Sequence, residues 1–349
     1  MVDYSIYVIS LDTKVKNALE RLNSLSGGAM TLFVVKENKL QGTLTDGDIR
    51  RALLKGKSID STVDKFMFRT PFVLEHKNFG LVDIQKIKEK KLVLVPVVNQ
   101  HNEIVRVIDF SKKKSVLPVR AFIMAGGKGT RLKPLTNATP KPMLPVGNKP
   151  IIEHNIDRLN SYGINHISIT INYLGNKIEE YFGEGKQKGI EIEYIDEKGK
   201  YLGTIGSLSL IKKFDFPDVL IMNSDLFTNV DFEDMYKYFK DKNADMLIAA
   251  VPYSVKVPYA VLKTEGNEVV SFEEKPTYTY YSNAGIYFIK SDHLKNIPQN
   301  EFYNATDLIE KLIDENKKVI YYPMVNYWLD IGKHEDYEKA QEDVKHIQF

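Results

Sequence analysis

No cysteine occurs anywhere in the 349 residues, which excludes disulfides, thiolate metal sites and cysteine nucleophiles and makes a reducing, cytoplasmic location the expected one. A charge excess of one sign is missing too. Lys and Arg number 48 against 46 Asp and Glu, a net charge of +2, which argues against a surface built to coat nucleic acid. Any anion site must then be local. Long apolar runs are absent: LVLVPVV at 92–98 is far shorter than the roughly 20 residues that cross a bilayer, so no membrane partner is expected. The start, MVDYSIYVIS, places Asp3 where a secretory leader would be basic, and no leader is expected. The seven histidines show no paired ligand spacing, so no zinc site is expected either.

What is present fits an ordinary globular protein, with 43% apolar and 27% charged residues in a chain longer than one core usually supports. Two domains are expected. The one place where a charge run and a proline separate two patterned regions is SKKKSVLP at 111–118, which sets the expected boundaries: 1–114, a linker at 115–119, and 120–349. Upstream, TLFVVKENKLQGTLTDGDIRRALLKG (31–56) and LVLVPVVNQHNEIVRVIDFSKKK (92–114) share a plan. Each has a β-branched run, a turn, a second run and a polar segment able to start a helix, a repeat of about sixty residues. Downstream, strand-length apolar runs (VRAFIM, HISITI, IEIEYI, VLIMN, DMLIAAV, AGIYFI) alternate with helix-period stretches (IIEHNIDRLNSYG, FEDMYKYFKDK, TDLIEKLIDENK). That alternation predicts an α/β fold with a mixed, mainly parallel sheet and helices on both faces, and ligands at the carboxyl ends of its strands.

VRAFIM is followed at once by Ala125-Gly126-Gly127-Lys128-Gly129-Thr130-Arg131. Three glycines in four positions let backbone N–H groups converge on an anion, and Arg131, Lys133 and Lys141 add charge. A Walker loop is excluded because Lys128 precedes Gly129, and the dinucleotide fingerprint because Leu132 stands where its third glycine belongs. A lone Gly-Gly is usually a mobile loop, but Pro134, Pro140, Pro142 and Pro145 brace this one and preset where Lys141 points.

The stretch GGKGTRLKPLTNATPKPMLPVGNKPII resembles the signature of the sugar-1-phosphate nucleotidylyltransferases, which join a nucleoside triphosphate to a sugar phosphate and release pyrophosphate. The resemblance continues in order through LGTIGSL (202–208), NSDLF (223–227), EEKP (273–276), NAGIY (283–287) and WLDIG (328–332), covering 120 to about 345. It implies a Rossmann-like, GT-A-like catalytic domain and assigns roles. Ala125, Gly126, Gly127, Gly129 and Gly203 would lie against the nucleotide, Arg131 would neutralise the leaving pyrophosphate, and Lys141 would reach the α-phosphate and the sugar phosphate. Asp225 and Asp330 would hold Mg²⁺, since two phosphorylated substrates repel and a carboxylate-bound divalent ion offsets this. Glu274, Lys275, Asn283 and Gly285 would line the sugar phosphate. An aspartate after a strand is otherwise a turn or cap residue, and a Glu-Lys pair is otherwise a solvated surface pair.

Base choice rests on YIDEKGKYLGT, where Asp196 and Glu197 precede the LGT glycine. Guanine offers two donors on one edge that a single carboxylate accepts, so GTP is expected. Cytidylyl or uridylyl transfer to another sugar phosphate or to phosphocholine, and a non-catalytic nucleotide-sensing subunit, stay open as alternatives. The N-terminal pair resembles a CBS pair (Bateman domain), which implies a regulatory nucleotide at Thr45 and Asp48 of GTLTDGDIRRALLKG, homodimerisation, or both; the bland reading of the same residues is a helix N-cap. VIDFSKKK lacks the T-x-x-D spacing, so a second site of that kind is not expected.

Overall fold

The computed structural model describes residues 4–25, 30–76 and 78–347; Asp3, on which the leader reading rests, lies outside them. The chain divides into two compact units, Met1–Pro118 with Asn160–Gly163, and Val119–Leu159 with Ile164–Phe349. The first contains the expected linker residues 115–118.

In the smaller unit the repeat is visible as two three-stranded sheets. Val8–Ser10 runs parallel to Thr31–Lys36, which pairs antiparallel with Lys39–Thr45. Leu74–Glu75 likewise runs parallel to Leu94–Val98, which pairs antiparallel with Ile104–Asp109. Helices Val15–Ser24 and Leu81–Glu89 occupy equivalent places between first and second strands. Glu37 and Asn38 both have positive φ, 51° and 63°, the geometry a two-residue hairpin turn requires. Helix Asp46–Leu54 follows the first hairpin as expected, whereas the polar segment after the second forms turns instead of a helix. There Asp109 Oδ1 accepts from both Ser111 N (2.9 Å) and Ser111 Oγ (2.6 Å), closing an Asx turn.

The larger unit is built on a seven-stranded sheet in the order Glu191–Asp196, His166–Ile171, Arg120–Met124, Asp218–Asn223, Thr277–Lys290, Met246–Lys256, Val319–Pro323. All neighbours are parallel except the two pairings of Thr277–Lys290. Phe122, Ile221 and Ile289 are buried, because central strands covered on both faces must be apolar on both. Helix Phe232–Asp241 begins where Asp231 accepts from Glu233 N and Asp234 N, and buries Met235, Tyr236 and Phe239. Helices Ile151–Ser161 and Ala305–Asp314 sit where their 3.6-residue patterns predict.

Candidate active site

Register decides which residues meet. Thr170 and Asn223 both lie opposite Met124, and Ile171 lies opposite Asp196, so four strands end on one edge. The residues that follow them, Asn172, Ala125 with Gly126, Asp225 and Glu197, are therefore neighbours although the sequence scatters them. A short strand, Trp328–Asp330, pairs antiparallel with Leu226–Thr228, placing Asp330 opposite Leu226; Ile331 N then donates to Asp225 O at 3.1 Å. The two aspartates are thereby set side by side.

Lys141 reaches this pair from a short 3-10 turn, Lys141–Met143, entered through Pro140 at φ −63°. Its ammonium donates to Asp225 Oδ2 and lies 4.0 Å from Asp330 Oδ1. Gly129 makes room for it: φ is 60°, and a Cβ there would lie 2.9 Å from Lys141 Cβ and 3.0 Å from Thr136 Cγ2. Thr136 Oγ1 in turn donates to Gly129 O at 2.9 Å, fixing the loop. Arg131 packs against the WLDIG motif, with its guanidinium 3.3 Å from where a Cβ on Gly332 would be. Asp330 Oδ1 is shut off from solvent and has no hydrogen-bond partner among the described residues. Burial and then the Asp225 charge push the Asp330 carboxyl above the usual aspartate range, while Lys141 and Arg131 oppose the shift. Two anions and two cations thus face one point, a local field that the near-neutral composition hides.

Glu197 is 4% exposed and accepts from Asn172 Nδ2 at 2.9 Å. Its Oε1 lies 3.1 Å from where a Gly126 Cβ would be, so the carboxylate packs directly against the glycine loop. Burial raises its pKa, and the Asn172 bond opposes that shift. Asp196 is differently engaged: it is exposed, and its Oδ1 accepts from Lys198 N at 2.7 Å within the turn formed by Lys198 and Gly199. Of the two acids considered for base reading, only Glu197 lies against the loop.

The remaining residues divide. Gly127 is open, with nothing within 4 Å of a Cβ position. Gly203, at φ 80°, packs on the Tyr303 carbonyl, 2.7 Å from where a Cβ would lie. Gly285, at φ 70°, lies against Asn223 of NSDLF, Asn283 Oδ1 accepts from Gly285 N at 2.9 Å, and Trp328 Nε1 donates to Ala284 O at 2.9 Å. NAGIY, NSDLF and WLDIG are thus tied together. Glu274 and Lys275 are not part of this cluster: they form an exposed pair, Nζ to Oε1 4.0 Å, with no ion pair or hydrogen bond to Lys141, Asp225 or Asp330. They sit past the Lys256–Thr277 end of a two-stranded ribbon, about 20 Å along it from the Ala250–Asn283 pair. In the smaller unit Thr45 and Asp48 form a capping box. Asp48 Oδ2 accepts from Thr45 N (3.0 Å) and Oγ1 (2.6 Å), and Asp48 Oδ1 accepts from Arg51 at 2.6 Å. Residues that sequence reasoning missed are Asn172, Thr136 and Gly332. Thr136 and Gly332 lie inside the quoted motifs without having been singled out, and the signal of Asn172 is its place directly after a strand.

Residues 120–347 match the nucleotidyl transferase family and residues 2–55 the CBS domain; the chain belongs to the nucleotidyl transferase family. It is 31% identical over 255 residues to a UTP–glucose-1-phosphate uridylyltransferase of Synechocystis sp., covering 66% of each chain, and 31% identical to a mannose-1-phosphate guanylyltransferase of Mycobacterium tuberculosis, covering 65% of this chain and 64% of that one. The chain thus spans just under two thirds of the length of these relatives. A D-glycero-alpha-D-manno-heptose 1-phosphate guanylyltransferase of Aneurinibacillus thermoaerophilus is 30% identical, with 65% of this chain and 99% of that protein covered. Among solved structures, HddC from Yersinia pseudotuberculosis superposes with a TM-score of 0.52 at 25% identity, over 65% of this chain and 99% of that one. Among the described residues no helix is long and apolar enough to cross a membrane.

Proposed function

We propose that the chain transfers GMP from GTP to a sugar 1-phosphate, releasing pyrophosphate. The observation that carries this reading is the convergence of Lys141, Asp225 and Asp330 beside a glycine loop that also seats Arg131. An oxygen of the sugar phosphate forms a bond to the α-phosphorus as the bond from that phosphorus to the pyrophosphate oxygen breaks. The nucleophile is already an anion, so no proton need move and no base is required. Positioning and charge neutralisation are what the protein supplies. Lys141 meets the α-phosphate and Arg131 the departing pyrophosphate. The orphaned Asp330 Oδ1, beside Asp225 in a site where the described residues gather no cluster of three metal ligands, fits a Mg²⁺ ion that takes most of its ligands from phosphate and water. Asp225 and Asp330 would hold it, and its charge would offset the repulsion between the two substrates.

Glu197 is the proposed guanine reader, accepting from the base through the carboxylate oxygens that lie against Gly126. Guanylyl transfer by two of the relatives supports the choice. The sugar is proposed to be glucosamine 1-phosphate, because a CBS module ahead of this transferase resembles the guanylyltransferase that opens legionaminic acid biosynthesis. Cytoplasmic location, a homodimer, and a regulatory nucleotide that displaces Arg51 from Asp48 complete the proposal. Uridylyl transfer is the second reading, favoured by the Synechocystis relative. Pyrophosphate release measured for four nucleoside triphosphates against several sugar 1-phosphates separates them: GTP with glucosamine 1-phosphate should turn over fastest, and preference for UTP would move the assignment to the second reading.

A further inference from the structure

The stretch 202–210 ends in a short 3-10 helix, Gly206–Leu210, whose place is fixed by the segment 301–305. Ile205 N and Gly206 N both donate to Tyr303 O, at 3.1 and 3.0 Å, and Tyr303 N donates to Leu202 O at 2.9 Å. Gly206 leaves no slack, since a Cβ there would lie 2.6 Å from Glu301 O. Three hydroxyls lie along this stretch, and two are satisfied locally. Thr204 Oγ1 accepts from Ala305 N at 2.8 Å, while Ser209 Oγ donates to Gly206 O at 2.7 Å and accepts from Asn300 N at 3.2 Å. Ser207, between them, is wholly buried, and its hydroxyl has no hydrogen-bond partner among the described residues.

A buried hydroxyl left unbonded is destabilising, and alanine would sit in the same place without that cost. What stands beside Ser207 gives the hydroxyl a use. Burial pushes the Glu197 carboxyl up, and Asn172, the Leu202 N–H and the Ser207 hydroxyl each oppose that shift. The hydroxyl is thus near enough to act on the carboxylate without a formed bond to it. Three segments meet on Glu197: Asn172 at the end of strand His166–Ile171, Gly126 in the glycine loop, and Ser207 in the 3-10 turn. Charged residues on the surrounding elements are Asp196, Lys198 and Lys200 in the Glu197 turn, Lys128 in the glycine loop and Glu301 on the segment that fixes the Ser207 turn. Asp196 opposes ionisation of Glu197, and none of the lysines forms an ion pair with it among the described residues. Glu197 therefore depends on neutral donors to stay an anion.

We propose that Ser207 is a positioning residue for base choice, its hydroxyl donating to Glu197 when guanine docks and holding the carboxylate as acceptor for the two N–H groups on that base. The inference rests on Glu197 being the base reader. Uracil offers one N–H flanked by two carbonyls, which a carboxylate repels, so the Ser207 donor should matter for GTP and not for UTP.

The test compares wild type, Ser207→Ala, Ser207→Cys and Glu197→Gln in the full chain by pyrophosphate release, with kcat/KM for GTP and for UTP followed over about pH 5–9. Ser207→Ala should lower kcat/KM for GTP about tenfold and leave that for UTP within about threefold of wild type. It should also move the acidic limb of the GTP profile to higher pH, because losing the donor raises the Glu197 pKa further and the carboxylate is then protonated earlier as pH falls. Ser207→Cys keeps a weak donor and should recover part of both effects. The melting temperature of Ser207→Ala should hold or rise, since an unpaired buried hydroxyl has gone. Glu197→Gln should lose both GTP preference and the acidic limb. If Glu197→Gln keeps GTP preference, the base-reading assignment fails and this inference with it. If Glu197→Gln loses it while Ser207→Ala keeps the wild-type limb and GTP efficiency, or loses GTP and UTP efficiency alike, the role of Ser207 alone is overturned.

Discussion

Gly129 and Lys141 occupy each other's space: with φ at 60° the glycine backbone turns so that the lysine stem passes where a Cβ would lie, 2.9 Å from Lys141 Cβ. The glycine therefore works twelve residues away from itself, seating the ammonium on Asp225. Gly129→Ala meets both left-handed strain of about 1–2 kcal/mol and this overlap. We expect the melting temperature to fall by a few degrees and kcat to fall about 100-fold, the larger loss reflecting a displaced lysine. Calorimetric melting and steady-state kinetics on one preparation check this; unchanged kcat would show that Lys141 does not depend on that seat.

Glu197→Gln separates base reading from stability. Burial raises the Glu197 pKa, so its ionised form costs folding energy at neutral pH, a cost that disappears below the ordinary value of 4.5. The glutamine variant should be at least as stable as wild type at pH 7 and equal to it below pH 4.5. Its kcat/KM with GTP should fall about 10–100-fold, the range for hydrogen bonds to a charged group. Retained GTP preference would remove Glu197 as the reader.

Asp245 predicts the opposite pH behaviour. It accepts from Lys290 Nζ (2.9 Å), His293 Nε2 (3.1 Å) and Lys318 N (2.9 Å), and these bonds hold its carboxyl well below the ordinary 3.8 against the opposing effect of burial. The stability it contributes is complete above that ordinary value and is lost as pH falls further. Asp245→Asn should cost about 2 kcal/mol at pH 7 by denaturant titration, and the difference from wild type should shrink below pH 3.8.

How much of this was legible in the sequence depends on the range of the interaction. The runs at 120–124, 166–171 and 219–223 announce buried strands because parallel strands are apolar on both faces, and the edge they share follows from alternation with helices. Asp225 and Lys141 are 84 residues apart, and no local pattern joins them; only the resemblance of the motifs put them in one site. Asn172 looks ordinary because its role exists only in register with Glu197, and Gly332, though inside WLDIG, shows its role only where Arg131 packs on it. The SKKK segment reads as a helix start because Asp109 accepts from Ser111 N as a helix cap would, yet the chain forms turns there.

Steady-state pyrophosphate release by Lys141→Ala beside wild type, with GTP and a sugar 1-phosphate, tests the central claim most directly. The lysine is partly exposed and its removal leaves the strands that carry Asp225 and Asp330 intact, so the variant should stay folded with kcat reduced at least about 1,000-fold. A folded Lys141→Ala protein that turns over near the wild-type rate would contradict the account.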